Sequence, residues 1–379
     1  MDDVTLEIRL HTAAPFFLKL LSFFSMMPVN PKLDQQNPRW TREAATFVSN
    51  GPFRLAQWTH EQRIVLERNP SYWAANQVRL DVIEFTMVTN PATVYQMFQT
   101  GQLDIARPPA GVTGRLLAEK KALVFPEART FFVRFNNKVS PFTNGNIRKA
   151  FSLAINREGF TRRILQGGQL PLRGFIPYGL SSGTGEFRKQ AGDLYKDGDV
   201  ARAREVLQQG LRELGLTALP ELVIRTSSAP EEWQKIAQYI QAEWKQKLGV
   251  QTRIEVMERR AYVAAVRQQK AYMIGPFSTG ADYDDAFNLL TQFMSDDFFN
   301  ATQYANPEYD RLIRAASVET NPQRRTQLMI QAEKILIQQD MAIAPLYTST
   351  QVVLQNPKVK NVYRYAVAED DYRDTSVEP

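Results

Sequence analysis

The sequence has no cysteine and only two histidines, His11 and His60, among its 379 residues. The absence of cysteine excludes a disulfide framework, a CxxC zinc site and a thiol nucleophile. The two histidines lie far apart and outside any metal-ligand spacing, which leaves a Ser-His-Asp triad almost without candidates. We therefore expect no metal site and no catalytic triad built on these residue types.

Motifs that bind cofactors or carry out catalysis are also missing. The sequence contains no G-x-S-x-G elbow, no G-x-G-x-x-G turn after a strand, no Walker loop and no H-E-x-x-H helix. The acidic run that begins at Asp282 suggests calcium, but the loop positions that require Gly and Glu hold Phe287 and Phe293. We therefore predict a protein that is not an enzyme and that binds no cofactor and no metal.

The sequence has no long apolar run. The most apolar stretch, residues 16–27, is interrupted by Lys19, Ser22 and Ser25 and is shorter than the roughly 20 residues that a membrane span requires. Acidic residues stand where a signal peptide has its basic start, and no small-residue cleavage site follows the stretch. We therefore predict no export signal within this sequence, and an exported parent protein would carry that signal elsewhere.

Basic residues are not concentrated in any one part of the chain. The formal net charge is +6, from 46 basic and 40 acidic residues, and the two signs are interspersed. A nucleic-acid-binding protein usually clusters Lys and Arg on one element. We therefore predict no nucleic-acid partner.

Strand-like and helix-like patterns alternate through most of the chain, so the sequence predicts an α/β or mixed α+β fold with more than one sheet. One strand-helix-strand unit, at residues 222–256, indicates parallel strands with a right-handed crossover. The glycine-rich residues 162–195 are expected to be mostly loop. The predicted strands are at residues 4–10, 53–55, 63–67, 79–88, 130–135, 222–225, 250–256 and 342–347, and the predicted helices are at residues 91–100, 146–160, 198–214, 230–248, 308–316 and 322–338.

Five groups of motifs occur in order along the chain. They are residues 50–53 (NGPF) with 64–73 (IVLERNPSYW), 95–98 (YQMF) with Gly101 and Asp104, 135–137 (FNN) with 147–151 (IRKAF), 280–283 (GADY) and 345–347 (PLY). Together they resemble the family 5 solute-binding proteins of ABC importers, which include oligopeptide-, dipeptide- and nickel-binding proteins. The resemblance runs from about residue 4 to about residue 375, and it looks closest to the oligopeptide-binding branch.

The resemblance implies a two-lobed, periplasmic-binding-protein-like fold with a hinge. Family members are usually longer at the N-terminus, so the chain is expected to lack the N-terminal part of the first lobe and most of an extra small domain. Residues 1–35 are then the remnant of that extra domain and the return to the first lobe. Residues 36–133 together with 351–379 form a discontinuous first lobe, and residues 134–350 form the second lobe.

The resemblance also implies a ligand site. Asp282 is the carboxylate expected to hold the α-ammonium group of a peptide, and the backbone of Ser278, Thr279 and Gly280 is expected to pair with the peptide main chain. Gly280 allows close approach because it has no Cβ atom. A second interpretation of Asp282 stays open, in which it caps a helix that begins near residue 284.

Three further residues belong to the expected ligand site. Arg267 occupies the position of a pocket arginine in the family and is expected to meet a carboxylate, although a surface arginine on a helix fits equally well. Tyr347 is expected to line the pocket near the hinge, with a core tyrosine as the alternative. Tyr283 follows Asp282 directly and is also assigned to the ligand site.

The resemblance implies a function without catalysis. We expect the substrate-binding component of an ABC importer that captures short peptides, acts as a monomer and meets the permease subunits in the membrane. Its expected location is periplasmic or extracytoplasmic and membrane-anchored. The alternatives are the ligand-sensing half of a transcription regulator, or a nickel-, haem- or sugar-type ligand within the same family, with an enzyme as a third possibility.

Overall fold

A computed structural model describes residues 2, 5–367 and 369–379 of the chain. Strands and helices alternate in it, which confirms the predicted mixed α/β class. The strands are β1 Phe53–Thr59, β2 Arg63–Arg68, β3 Val82–Thr86, β4 Ile105–Ala106, β5 Leu123–Phe135, β6 Leu170–Pro171, β7 Leu222–Ser227, β8 Thr252–Met257, β9 Ile274–Gly280, β10 Ile343–Gln355, β11 Val359–Lys360 and β12 Ser376–Val377. The α-helices are α1 Phe17–Leu20, α2 Pro31–Gln36, α3 Pro91–Gln99, α4 Ala110–Ala118, α5 Gly145–Leu153, α6 Arg157–Gly159, α7 Phe187–Ala191, α8 Val200–Glu213, α9 Glu231–Leu248, α10 Arg259–Val263, α11 Ala286–Leu290, α12 Pro307–Val318 and α13 Pro322–Glu333.

The chain divides into two compact units. Unit 1 contains the chain up to Phe23, Pro126–Leu165 and Gln169–Thr350, and unit 2 contains Phe24–Phe125, Gln166–Gly168 and Gln351–Pro379. The three-part domain division expected from the resemblance stays a prediction. Among the described helices, none combines the length and the apolarity that crossing a bilayer demands.

Unit 1 is built on a mixed sheet. Strand β9 pairs antiparallel with β5 from Arg129↔Gly280 to Phe135↔Ile274, and β7 pairs parallel with β8 along its whole length. The predicted strand-helix-strand unit is therefore confirmed. Large aromatic and aliphatic side chains from both faces of the sheet are buried, so this sheet forms the core that supports the candidate site.

Helix α9 connects the two parallel strands and shows why the sequence folds locally as it does. Its buried side chains follow the helical period and form one stripe facing the sheet, with Trp244 fully buried. Gly249 ends the helix in the left-handed conformation at φ 72°, which a residue without Cβ adopts at low cost. Acidic residues in the first turn and lysines in the last turn complement the helix dipole.

Unit 2 contains a three-stranded antiparallel sheet in the order β1-β2-β3. The predicted strands at residues 53–55 and 63–67 are confirmed and pair with each other, and Asn69 donates from Nδ2 to the Gly51 carbonyl at 2.8 Å beside them. A cavity of about 1070 Å³ lies in this unit between β3, β4 and the C-terminal segment. None of the predicted site residues lines that cavity.

The predicted strand at residues 4–10 is the clearest error. Val4 lies outside the described residues, and residues 5–10 form no strand. An alternating pattern forms a stable strand only beside a partner strand, and no described strand pairs with this segment. Its apolar side chains are therefore not covered, and Leu6 is 84% exposed. The predicted helix at 146–160 is also wrong in extent: it stops at Leu153, and Asn156 caps a separate turn.

Candidate functional site

The side of β9 that faces away from β5 is not paired with a strand beyond Ile274. On one side, β9 pairs with β5 at every position from Ile274 to Gly280. On the other side, it pairs with β7 only at Ile224↔Ile274. The strand therefore presents an edge beyond Ile274 to which an extended chain can be added.

Backbone alternation decides which groups face this open edge. The Ala281 N–H donates to the Ala128 carbonyl at 2.9 Å, so the alternate residue Thr279 also faces β5. Pro276, Ser278 and Gly280 then face the other way. The Pro276 carbonyl accepts from the Tyr262 hydroxyl at 2.7 Å, whereas no described group is hydrogen-bonded to the backbone of Ser278 or Gly280.

Asp282 lies two residues beyond this edge and is exposed. Its own N–H donates to Asn288 Oδ1 at 2.9 Å, which fixes the backbone. Its carboxylate has no hydrogen bond or salt bridge to any residue in the described part of the chain. An accessible carboxylate held by a fixed backbone is suited to a cationic ligand group.

The neighbouring acids have structural partners. Asp285 caps α11 by accepting from the Phe287 N–H at 2.9 Å, and its carboxylate forms a two-point ion pair with buried Arg325 at 2.8 and 3.0 Å. Asp284 accepts from the Ser181 N–H at 2.8 Å. The interpretation of Asp282 as the helix cap is therefore wrong, since Asp285 has that role.

Two other predicted site residues are engaged within the protein. The Thr279 hydroxyl donates to Gln292 Oε1 at 2.9 Å, and the Thr279 backbone faces β5 rather than the open edge. Tyr283 is buried and stacks on Phe16 with ring centroids 5.8 Å apart. Burial raises the pKa of the Tyr283 hydroxyl. Their contacts show how the segment around Asp282 is held, and their roles toward a ligand stay predictions.

Tyr347 is fully buried in unit 1. Its ring stacks on Phe131 at 4.7 Å, and its hydroxyl donates to Glu232 Oε1 at 2.6 Å. Desolvation raises the pKa of the Glu232 carboxyl and outweighs the Tyr347 hydrogen bond, which lowers it. The sequence does not reveal Glu232 as a partner, because an acid in the first turn of α9 already fits the helix dipole.

Arg267 is half-buried and lies over two aromatic rings. Its guanidinium carbon is 5.3 Å from the centroid of Phe277 and 5.7 Å from that of Phe299. Desolvation lowers the pKa of this guanidinium. No described carboxylate pairs with it, so its charge is available to an anion.

The chemistry of the site is that of binding. The open edge of β9 offers backbone N–H and C=O groups, Asp282 offers a negative charge, and Arg267 offers a positive charge. Among the described residues, no cluster of three or more His, Asp or Glu side chains is arranged to hold a metal ion.

Comparison with known proteins gives a consistent result. The family model described as bacterial extracellular solute-binding proteins, family 5 Middle, matches residues 1–301. The chain is 36% identical over 373 residues to the dipeptide-binding protein DppE of Bacillus subtilis (strain 168), covering 98% of this chain and 68% of that protein. It is 32% identical over 383 residues to the oligopeptide-binding protein OppA of the same organism, covering 99% and 69%.

Solved structures agree with the sequence comparison. The substrate-binding domain of an oligopeptide ABC transporter from Bacillus anthracis str. Ames superposes with a TM-score of 0.76 at 29% identity, covering 100% of this chain and 74% of that chain. This likeness confirms the expected two-lobed fold class. The relatives are solute-binding proteins, so the prediction that the chain is not an enzyme is confirmed as well. The chain belongs to family 5 of the bacterial extracellular solute-binding proteins.

Proposed function

We propose that the chain is the substrate-binding component of a peptide ABC importer, and that it captures short peptides on the open edge of β9. One observation carries the proposal. The backbone of Ser278 and Gly280 has no partner in the described chain, and the unpaired carboxylate of Asp282 lies directly beyond it.

Main-chain pairing explains binding without strong side-chain selection. An extended peptide adds to an exposed strand edge through its regular N–H and C=O groups, whatever its sequence. Ser278 and Gly280 offer two sets of such groups on the same edge. Gly280 also has no side chain to hold the peptide away, and a Cβ atom added there would lie 3.2 Å from Nη2 of Arg129 and 3.7 Å from the Ala128 carbonyl oxygen.

A charge at a known end of the peptide sets its register. The α-ammonium is the one positive charge that every unmodified peptide carries at its first residue, and a carboxylate binds it through a charge-assisted hydrogen bond. Asp282 supplies that carboxylate in the proposal. Arg267 then supplies a positive charge to a peptide carboxylate. The contacts described above give a packing role at the site to Thr279, Tyr283 and Tyr347.

The relatives support this choice of ligand. Those that the chain resembles are named dipeptide- and oligopeptide-binding proteins, and the matched structure is the substrate-binding domain of an oligopeptide ABC transporter. We therefore propose permease subunits of an ABC importer as the membrane partner, a monomer as the working form, and a periplasmic or membrane-anchored extracytoplasmic location. The sensing half of a transcription regulator and a nickel, haem or sugar ligand have no observation here that favours them over peptide.

The test is calorimetry with tri- to pentapeptides on the wild-type protein and on Asp282→Asn. Removing one partner of a charge pair costs about 2–5 kcal/mol, so we expect affinity to fall by at least about thirtyfold. N-acetylated peptides lose the ammonium group, so wild-type and Asp282→Asn proteins should bind them equally weakly.

The matched control is Asp296→Asn, which removes an exposed carboxylate whose pair with Arg314 lies on the surface. This variant should bind as the wild type does. Equal affinity of the wild-type and Asp282→Asn proteins for unmodified peptides would show that Asp282 does not hold the ammonium. Failure of the wild type to bind any peptide would reject peptide as the ligand.

A further inference from the structure

The sequence contains two Asn-Gly pairs, Asn50-Gly51 and Asn144-Gly145. In such a pair the asparagine side chain can react with the backbone nitrogen that follows it, because glycine has no Cβ atom to shield that nitrogen. Several other asparagines of the chain precede proline, whose nitrogen carries no hydrogen to lose. The two pairs have the same chemistry, so any difference in their reactivity must come from their surroundings in the fold.

Both ends of the Asn144 side-chain amide are held. Its Oδ1 accepts from the backbone N–H groups of Asn146 and Ile147 at 2.8 and 3.1 Å, which caps α5. Its Nδ2 donates to Glu213 Oε2 at 2.8 Å. A reaction that turns this amide toward the Gly145 nitrogen and expels Nδ2 would break these bonds, so the helix cap protects Asn144.

Asn50 has none of this support. It is exposed, and no described group is hydrogen-bonded to its side chain. Residues 48–50 belong to no helix or strand, and no backbone hydrogen bond joins them to another described residue. The Gly51 N–H donates to the hydroxyl of exposed Ser49 at 3.1 Å, its one contact of this kind among the described residues. The side chain and the nitrogen are therefore both free to approach each other.

The space around Gly51 is open. A Cβ atom added there would meet only the Ser49 hydroxyl oxygen at 3.4 Å and the Phe53 carbonyl oxygen at 4.0 Å, both at ordinary contact distance. The backbone of Gly51 is also not in the left-handed region. The fold therefore leaves the Gly51 nitrogen uncovered, and an alanine at this position fits without strain.

We propose that Asn50 is a site of spontaneous deamidation in the folded protein and that Asn144 is not. The Gly51 nitrogen loses its proton and bonds to Cγ of Asn50, and the Cγ–Nδ2 bond breaks as ammonia leaves with a proton. Water then opens the cyclic imide. Opening at Cγ gives aspartate, whereas opening at the main-chain carbonyl carbon gives isoaspartate, whose backbone is longer by one methylene group. The net reaction consumes one water, releases one ammonia and transfers no electrons.

The isoaspartate product changes a turn that the fold uses. Asn69, which is buried, donates from Nδ2 to the Gly51 carbonyl at 2.8 Å and from its backbone N–H to the Pro52 carbonyl at 2.9 Å. These bonds join the start of β1 to the end of β2. An extra methylene group before Gly51 displaces both carbonyls, so isoaspartate weakens the pairing of these strands. The proposal concerns unit 2 alone and is independent of the proposed function.

The test is peptide mapping by mass spectrometry after incubation of the folded wild-type protein at mildly alkaline pH. Asn144 is the internal control, and we expect Asn50 to deamidate at least about tenfold faster, because Asn144 reacts only after its cap opens. The rate at Asn50 should rise with pH, because the Gly51 nitrogen must lose a proton. In protein unfolded by urea, the two asparagines should deamidate at similar rates.

Two variants separate the chemistry from its consequence. Gly51→Ala places a Cβ atom beside the nitrogen and should slow deamidation of Asn50 at least about tenfold, with the Tm unchanged. Asn50→Asp reproduces the aspartate product at an exposed position and should also keep the wild-type Tm. The isoaspartate form, separated by chromatography from aged wild-type protein, should have a lower Tm than both.

Three results would overturn the proposal. Equal rates at Asn50 and Asn144 in the folded protein would show that the cap gives no protection. An intact Asn50 in the folded protein, with deamidation after unfolding, would show that the fold holds this residue in an unreactive conformation. An unchanged rate in Gly51→Ala would show that the Gly51 nitrogen does not take part. An isoaspartate form with the wild-type Tm would reject the effect on the contacts of Asn69.

Discussion

At the residue scale, Asp285 combines two structural duties that its neighbour Asp282 lacks. It caps α11 and neutralises Arg325, whose side chain is only 3% exposed. Asp285→Ala should therefore lower the free energy of unfolding by about 3–5 kcal/mol, because it leaves a buried arginine unpaired. Urea unfolding of this variant beside Asp296→Ala, an exposed pair partner worth at most about 1 kcal/mol, checks the difference. Similar losses for the two variants would contradict the structural role.

The partly buried carboxyl of Glu232, which accepts a hydrogen bond from Tyr347, should make the stability of the protein depend on pH. Its pKa in the folded protein is raised by desolvation, so the folded state resists its ionisation more than the unfolded state does. Protonated Glu232 makes its full contribution to the free energy of unfolding at pH values below the ordinary glutamate pKa of 4.5. That contribution is lost as the pH rises through the raised pKa of the folded protein. Glu232→Gln should therefore be more stable than wild type near neutral pH, with the difference shrinking toward low pH.

Unfolding free energies measured at several pH values on Glu232→Gln and on Glu231→Gln test this sign. Glu231 is exposed, and it pairs with Lys235 at 3.0 Å, so its variant should follow the wild-type pH dependence. A Glu232→Gln variant that is less stable than wild type at neutral pH would show that the hydrogen bond with Tyr347 outweighs the desolvation.

At the element scale, helix α9 ends where Gly249 adopts a left-handed backbone at φ 72°. Gly249→Ala should lower the free energy of unfolding by about 1–2 kcal/mol, because alanine in that conformation brings Cβ too close to the next carbonyl. Gly111→Ala in the first turn of α4 meets nothing within 4 Å and has no unusual φ, so it should be neutral or slightly stabilising. Thermal unfolding should show a lower Tm for Gly249→Ala and an unchanged or slightly higher Tm for Gly111→Ala. A similar change in Tm for both variants would contradict the role given to the backbone conformation of Gly249.

The role of strand β9 could be predicted from the sequence, but the direction in which each of its backbone groups points could not. Its backbone around Ser278 to Gly280 was expected to meet a peptide, and its sheet position leaves that edge open. The alternation of N–H directions, however, depends on pairing with β5, whose partner residues lie 139 to 151 positions earlier in the sequence. For that reason the sequence does not separate Ser278 and Gly280, which face outward, from Thr279, which faces β5.

At the scale of the whole molecule, the order of the motifs identified the family, and the comparisons confirm it over 98% of the chain for DppE. The chain spans about two thirds of the length of the curated relatives it matches. Residues 5–10 show a limit of local prediction, since their alternating pattern has no partner strand among the described residues.

The sequence by itself determined the alternation of strands and helices, the β-α-β unit closed by Gly249, and membership of the solute-binding family. These features depend on local periodicity, turn chemistry and motif order, which are all readable along the chain. Only the tertiary structure decided which edge of β9 is open and which aspartate caps α11. Those answers depend on strand pairs and ion pairs between residues distant in sequence, and no local pattern encodes whether a partner is present.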